Sequence, residues 1–337
     1  MSWLALDIGG ANLKVADGRG FAESYSFALW RDPNGLSQQV RTIISEAPKA
    51  DHLAVTMTGE LADCFENKAA GVRHILRMVS DGSDNRHTRV YLVDGRMVAP
   101  QVAVTLPQLA AASNWHALAR FAGRFAKTGS ALLVDVGSTT TDIIPLHDGQ
   151  PIAKGKSDTE RLLCGELFYT GVERSPACAV AHTVLYRGQQ CPVAQEVFAT
   201  MRDAYLLLAG LAEDPADHHT ADGRPATKAA AKIRIGRIIA ADSEEVNHRD
   251  AAAIAQCLAD AQAAQLATAI QKVVSAMPAP PEKVILSGHG DFLAANALRV
   301  ANVQAKTLLL RDELGPTLSR VGPAHALAVL AREATSL

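Results

Sequence analysis

The sequence predicts an α/β fold built from two similar parts, on three observations. Apolar strand-like runs alternate with helical stretches over much of the 337 residues, the pattern of layered α/β domains. A glycine hairpin occurs twice, as "LALDIGGANLKVAD" (Leu4–Asp17) and as "LLVDVGSTTTDIIPLHDG" (Leu132–Gly149). Their aspartates, Asp7 and Asp135, lie 128 residues apart. That interval is too long for a solenoid repeat and suits two domains facing one another. The chain length accommodates two ordinary domains.

Taken in order, residues 3–8 and 12–16 read as two strands joined by the first glycine turn. A helix follows near Gly35–Glu46, and "HLAVTMTG" (His52–Gly59) reads as a buried strand. "RVYLVDGRMV" (Arg89–Val98) carries a strand and an Asp-Gly turn. "TLPQLAAASNWHALARFAGRFA" (Thr105–Ala126) has apolar residues at helical spacing and predicts one long helix. "TGS" breaks it, which places the domain boundary at 127/128. The parts are then 1–127 and 128–337, with the second glycine hairpin opening the second. A less regular region, "GELFYTGVERSP" (Gly165–Pro176), precedes a helical segment of about 193–277, interrupted by the polar loop Pro215–Lys228. "PAPPEKVILSGHGDFLA" then gives a proline linker, a buried strand, a glycine turn and a helix start. "VGPAHALAVLAREA" closes the chain as a helix.

Composition excludes several function classes. Hydrophobic residues make up 48% and charged residues 20%, so a sizeable core is expected and wholesale disorder is not. The formal net charge is -2 with no Lys/Arg block, which disfavours nucleic acid as a partner. No basic and apolar leader opens the sequence, and no run is apolar enough to span a bilayer, so neither secretion nor a membrane is expected. The cysteines, Cys64, Cys164, Cys178, Cys191 and Cys257, are odd in number and widely spaced, without a CxxC pair. A disulfide framework and a zinc knuckle are disfavoured, and a reducing cytoplasm is the expected location. Each cysteine is expected as a small buried hydrophobe.

The doubled hairpin has a chemistry. Gly9 and Gly10 let backbone approach an anion with no Cβ in the way. Gly137, Ser138, Thr139 and Thr140 offer N–H groups and hydroxyls at the matching place, and successive N–H groups make an anion-binding concavity. Asp7 and Asp135 bring carboxylates to the same point, which is unfavourable beside phosphate unless a cation lies between. A hydrated Mg²⁺ held by these two is therefore expected. Lys14 either adds positive charge to this cleft or simply ends a strand. In "VILSGHGDFLA", Gly288 and Gly290 follow a strand and precede a helix, a turn able to pack a phosphorylated or flat ligand.

Together the three glycine segments resemble the phosphate-1, phosphate-2 and adenosine motifs of the actin, sugar kinase and Hsp70-like ATPase superfamily. The resemblance implies two ribonuclease-H-like (actin-like ATPase) domains around a central cleft, with a helical insertion in the second. "AVTMTGELADCF" (Ala54–Phe65), "DVGSTTTDIIPL" (Asp135–Leu146), "GELFYTGVERSPACA" (Gly165–Ala179), "EVFATMRDAYLLLAG" (Glu196–Gly210) and "TADGRPAT" (Thr220–Thr227) narrow it. They resemble the hydantoinase/oxoprolinase-related branch linked to tetrahydromethanopterin one-carbon transfer. That branch implies a transferase of methanofuran biosynthesis, joining an aminomethylfuran diphosphate to the phenol of a tyramine- or tyrosine-type acceptor and releasing pyrophosphate. ATP is allowed by the resemblance but not required by this reaction.

The branch motifs also supply candidate residues. Glu60, just past a strand end, and Glu166 are candidates for removing the phenol proton. Asn12 belongs with the phosphate-binding set, and Thr58, Tyr169 and Arg174 with substrate binding, Arg174 as a clamp for phosphate or a substrate carboxylate or else a plain surface arginine. The alternative for Glu60 is a solvated loop glutamate. Asp203 is left between a metal approach and a solvent face. Asp142 and Asp148 read as turn or strand-end residues, and His289 as a ligand contact or a helix cap. Asp217, His218, His219 and Asp222 match no standard zinc spacing and read as a solvated loop, with Asp222-Gly223-Arg224 a turn over the cleft. Rival functions on the same fold are an ATP-dependent small-molecule kinase, a nucleotide-binding regulator that acts through a partner, and a hydantoinase-like amide hydrolase subunit. A homodimer is left open.

Overall fold

The computed structural model of the chain describes residues 1–334. Its first sheet contains β1 (Trp3–Ile8), β2 (Asn12–Ala16), β3 (Ala22–Ser26), β4 (His52–Met57), β5 (His87–Tyr91) and β6 (Met97–Val98), in the order β3-β2-β1-β4-β5-β6. β1, β2 and β3 form an antiparallel meander, while β1, β4 and β5 run parallel. The crossovers are α1 (Leu36–Glu46) and α2 (Lys68–Gly82), the latter capped by Asn67, whose side chain accepts from the Ala70 N–H. The second sheet begins with β7 (Ser130–Val136), β8 (Thr141–His147) and the short β9 (Gln150–Pro151) and β10 (Leu167–Phe168). After the separate hairpin β11 (Thr183–Tyr186) and β12 (Gln189–Pro192) it is completed by β13 (Lys283–Ser287) and β14 (Lys306–Leu309). Its order, β10-β8-β7-β13-β14, repeats the plan of the first: an antiparallel hairpin beside two parallel strands. The fold is α/β, as the sequence pattern predicts, and its two sheets are the ribonuclease-H-like pair that the resemblance implies.

The region expected as one helix over Thr105–Ala126 is broken. It contains α3 (Pro100–Thr105), α4 (Pro107–Ala110) and α5 (Asn114–Ala122), then a single 3-10 turn at Gly123–Phe125. Ala112 takes φ +46°, which no α-helix passes through. Ser113 is buried there, and its hydroxyl lies 2.9 Å from Tyr91 O and 2.8 Å from Thr56 Oγ1. The break starts a new helix at Asn114, beside the end of β1.

Between the sheets and outside the second lie the remaining helices: α6 (Asp158–Cys164), α7 (Ala177–Val180), α8 (Met201–Leu207), α9 (Lys228–Arg237), the 28-residue α10 (His248–Ser275), α11 (Asp291–Val300), α12 (Leu310–Leu314), α13 (Pro316–Arg320) and α14 (Gly322–Ala334). The segment 193–277 is less helical than expected. Its first part is mostly extended or turn, and α8 covers only Met201–Leu207. α10 supplies much of the core that covers the second sheet, burying Ile254, Leu258, Leu266 and Ile270 beside Leu132, Val134 and Val136.

α5 and α14 form a shared layer between the sheets. One side buries Ala117, Leu327, Ala328 and Ala331 against Trp3, Ala5, Ala54 and Tyr91 of the first sheet. The other side buries Trp115, Leu118, Ala326 and Val329 against Ala131, Leu133, Ile144 and Ile285 of the second. Strand side chains alternate between faces. Asp7 follows Trp3 and Ala5, and Asp135 follows Ala131 and Leu133, so both carboxylates project into the space between the sheets.

Candidate active site

The two hairpins match bond for bond. The Gly9 N–H donates to Asn12 O at 3.0 Å, and the Gly137 N–H to Thr140 O at 2.9 Å. Across each, β1 pairs Asp7 with Lys14, and β7 pairs Asp135 with Asp142. A strand-end glycine buttresses each one. The Gly59 N–H donates to Ile8 O at 3.0 Å, and the Gly290 N–H to Val136 O at 3.1 Å. Gly10 stands apart: a Cβ built on it would meet nothing within 4 Å, so there is open space beside it at the tip of the first hairpin. The third glycine turn serves packing. Gly288 has φ +81°, and a Cβ there would lie 2.2 Å from Val136 O. A Cβ on Gly290 would lie 2.4 Å from Val136 Cγ1.

Carboxylates crowd this point. Asp7 is 4% exposed and its Oδ1 has no hydrogen-bond partner; burial pushes its carboxyl above the usual range, with Lys14 and Asn114 pulling the other way. Asp135 is pushed up to about 6 by burial first and the Asp142 charge second. Asp142 is also raised by burial, against the pull of Arg161, with which it is ion-paired. Lys14 lowers all three. Three carboxylates thus face two cations, and an incoming polyanion needs more positive charge than these supply.

Asp142 is therefore part of the cluster and not a plain strand-end residue. The repeat would have located it, since it lies 128 residues after Lys14, as Asp135 does after Asp7. Arg161, 1% exposed, donates to Glu166 O at 3.2 Å and stacks on the Trp115 ring at 4.2 Å. It ties the second hairpin to the α5 layer. Asp148 is a turn residue as expected, with φ +47° and an oxygen accepting from the Gly129 N–H at 2.8 Å.

Glu60 is not a solvated loop residue. It is 1% exposed, its Oε2 has no partner, and burial first and Asp158 next push its carboxyl up to about 7. Lys68 opposes this, and also bridges to Asp158 at 3.7 Å, linking α2 to α6. Gly71 explains the burial: a Cβ there would lie 2.0 Å from Glu60 O, so the helix seats directly on this loop. Glu166 is used differently from Glu60. Its Oε1 accepts from the Lys154 N–H at 2.7 Å and its Oε2 from the Gly155 N–H at 2.9 Å. With both oxygens committed to backbone N–H groups it holds a loop in place, at the edge of a pocket it shares with Lys154, Cys164 and Lys272.

The 169–175 loop lies on the second hairpin. Val172 N–H donates to Gly137 O, and Glu173 and Arg174 N–H both donate to Ser138 O. A Cβ on Gly171 would lie 2.5 Å from Thr139 N, so only glycine allows the approach. Gln262 of α10 fastens the loop from behind, donating to Thr170 Oγ1 at 2.7 Å and Gly171 O at 3.0 Å. Tyr169 is 69% exposed, and Arg174 is exposed with its guanidinium 5.8 Å from the Trp30 ring centroid. Thr58 is exposed at the end of β4. His289 lies with its Nε2 3.1 Å from Glu173 Oε1, while Gly290 takes the N-cap position of α11. The Glu173 carboxyl is held low: burial alone would raise it, but His289, Arg202 and Arg320 outweigh that.

Other sequence candidates lie elsewhere. Asp203 does not face solvent; it is buried, pairs with fully buried Arg234 at 2.7 Å and accepts from the Thr200 N–H. Asp222 pairs with Arg234 at 2.9 Å and Asp217 with Arg202 at 2.5 Å, so the polar loop is pinned by arginines. None of the cysteines is fully buried, and all five are free. Among the described residues no group of three His, Cys, Asp or Glu is arranged to hold a metal by itself. Mg²⁺ needs no such cage, because it keeps several waters and takes further oxygens from phosphate. Asp7 with its unpartnered oxygen and Asp135 opposite fit that donor set.

Residues 51–322 match the family model described as Hydantoinase/oxoprolinase. The chain is 30% identical, over 97% of its length and 96% of that protein, to the (4-{4-[2-(gamma-L-glutamylamino)ethyl]phenoxymethyl}furan-2-yl)methanamine synthase of Methanocaldococcus jannaschii. It is 28% identical to the Methanococcus vannielii protein of the same name, over 60% of this chain and 90% of that one. Among solved structures it is similar to component A of the (R)-2-hydroxyglutaryl-CoA dehydratase of Acidaminococcus fermentans, at a TM-score of 0.46 and 11% identity over the whole of both chains. The family match and the near full-length relative agree, and the chain belongs to the hydantoinase/oxoprolinase family.

Proposed function

We propose that this chain is a transferase that joins an aminomethylfuran diphosphate to the phenol of a tyramine- or tyrosine-type acceptor, releasing pyrophosphate, in the biosynthesis of a methanofuran-type cofactor for one-carbon transfer. The observation that carries the reading is a glycine hairpin repeated with the same backbone bonds on the two sheets, in a chain similar end to end to a relative named for a phenoxymethylfuran product.

The open backbone at Gly10 and the Ser138–Thr140 segment bind the diphosphate from opposite walls, with Lys14 adding charge. Asp7 and Asp135 would hold Mg²⁺, which when bound supplies the positive charge that a departing pyrophosphate needs. Donors fixed in advance where charge develops are often the largest catalytic contribution. The phenol oxygen bonds to the furan methylene as the methylene–oxygen bond to phosphate breaks. That bond's electron pair leaves with pyrophosphate. The phenol proton, from a group with a pKa of about 10, goes to a carboxylate, the role this reading gives to Glu60. A base that titrates near neutrality is half-available at working pH, and the unpartnered Oε2 is free to accept.

The test compares two mixtures with Mg²⁺. ATP alone is expected to give no phosphate. Furfuryl diphosphate with tyramine is expected to give pyrophosphate and the aryl ether in equal amounts by mass spectrometry. Phosphate from ATP with no ether from the second mixture would replace this reading with the kinase or ATPase one.

A further inference from the structure

We infer that Trp30 and Arg174 form the acceptor subsite, with Trp30 stacking the phenol ring and Arg174 pairing with a carboxylate carried on the acceptor's side chain. This rests on the transferase reading and names the part of the acceptor that the chain selects.

The two residues sit at the mouth of the diphosphate cradle, one on each wall. Leu29 is fully buried and its N–H donates to Gly10 O at 2.9 Å, which fixes Trp30 next to the tip of the first hairpin. The Arg174 N–H donates to Ser138 O at 2.9 Å, which fixes it next to the second. Backbone anchoring to the hairpins themselves sets both positions. The guanidinium-to-ring distance of 5.8 Å is at the outer limit of a cation–π contact, so the pair is close but loose.

Neither side chain has a better structural role. Trp3 and Trp115 are 6% and 3% exposed, as core tryptophans are, whereas Trp30 is 37% exposed. Most large aromatic surface is buried in a folded chain, so a tryptophan left open beside a ligand cradle has contact area to offer. Arg161, Arg202 and Arg234 are each held by carboxylates, while Arg174 has only the Trp30 ring among the described residues. A planar guanidinium beside an aromatic face suits a ligand that is aromatic at one end and anionic at the other. The acceptor moiety in the name of the relative, a γ-glutamylaminoethyl phenol, has both.

The experiment uses the full chain with furfuryl diphosphate and either tyrosine, which has a carboxylate, or tyramine, which lacks one. Arg174→Ala is expected to raise KM for tyrosine about tenfold and leave tyramine within about twofold, with kcat little changed for both. Arg174→Lys should recover part of the loss. Trp30→Ala should raise KM for both phenols, and Trp30→Phe should restore most of it. A readout independent of turnover is tryptophan emission, since Trp30 is the half-exposed tryptophan. Tyrosine is expected to quench it in the native chain and not in Trp30→Phe. Equal effects of Arg174→Ala on the two phenols would overturn the carboxylate role, and a native KM in Trp30→Ala would overturn the subsite. If the native chain releases no pyrophosphate with either phenol, the transferase reading fails by itself. The emission titration then decides the subsite: quenching supports it and its absence overturns it.

Discussion

At the scale of single residues the site is a set of buried acids whose charges oppose one another. Asp7→Asn and Asp135→Asn should each lower turnover by about 10²-fold or more, the size expected when charge stabilisation of a leaving group is removed. Both variants should keep the native circular dichroism and melt no earlier, because each change removes a buried negative charge. Glu60 makes a pH prediction with a defined sign. Its carboxyl titrates at about 7 when folded and near 4.5 when unfolded, so between these values the folded state holds the extra proton. Stability contributed by the neutral form is complete below pH 4.5 and is lost as pH rises through 7. Glu60→Gln should therefore be more stable than the native chain at pH 8, by up to about 3 kcal/mol, and equal to it at pH 4. Turnover should fall on the acid side of pH 7 in the native chain. In Glu60→Gln it should be slow at every pH while diphosphate binding persists.

At the scale of elements, the glycines separate architecture from ligand approach. Gly288→Ala forces a Cβ to within 2.2 Å of Val136 O at φ +81°, and should cost about 3 kcal/mol or prevent folding. Gly10→Ala has free space and a permitted backbone, so its melting temperature should stay within a few degrees of native. Its diphosphate affinity should fall, read by calorimetry. Both hairpins and the third glycine turn were legible in the sequence, because apolar strand, aspartate and glycine lie at short fixed spacing. The broken helix over Thr105–Ala126 was not. Its apolar periodicity continues through Ala110–Ser113, and the break is imposed by a tertiary contact, the Ser113 hydroxyl at Tyr91 O and Thr56. Glu60 and Glu166 read alike as Gly-Glu-Leu steps. What distinguishes them is whether a neighbouring loop supplies amides, and that is decided by residues 154–155 folding back. Trp30 gave no periodic signal, its place being set by backbone bonds from Phe27 to Ala11 and from Leu29 to Gly10.

At the scale of the whole molecule, two sheets share the α5 and α14 layer, and ionic and stacking contacts cross between the parts. Lys68 bridges to Asp158 and Arg124 to Glu333, while Arg161, ion-paired with Asp142 of the second sheet, stacks on Trp115 of the shared layer. Arg161→Met would leave Asp142 buried without its counter-ion, and should lower stability by about 3–5 kcal/mol in urea titration. The doubled plan also gives the account its central claim, that one polyanion is held by matched hairpins from both walls with Mg²⁺ at Asp7 and Asp135. The most direct measurement is a crystal structure of the chain with Mg²⁺ and a non-hydrolysable furfuryl diphosphate analogue. The account predicts one diphosphate touching backbone at Gly10 and at Ser138–Thr140 together, with the metal between Asp7 and Asp135. A ligand seated on a single hairpin, or a metal held away from these two carboxylates, would contradict it.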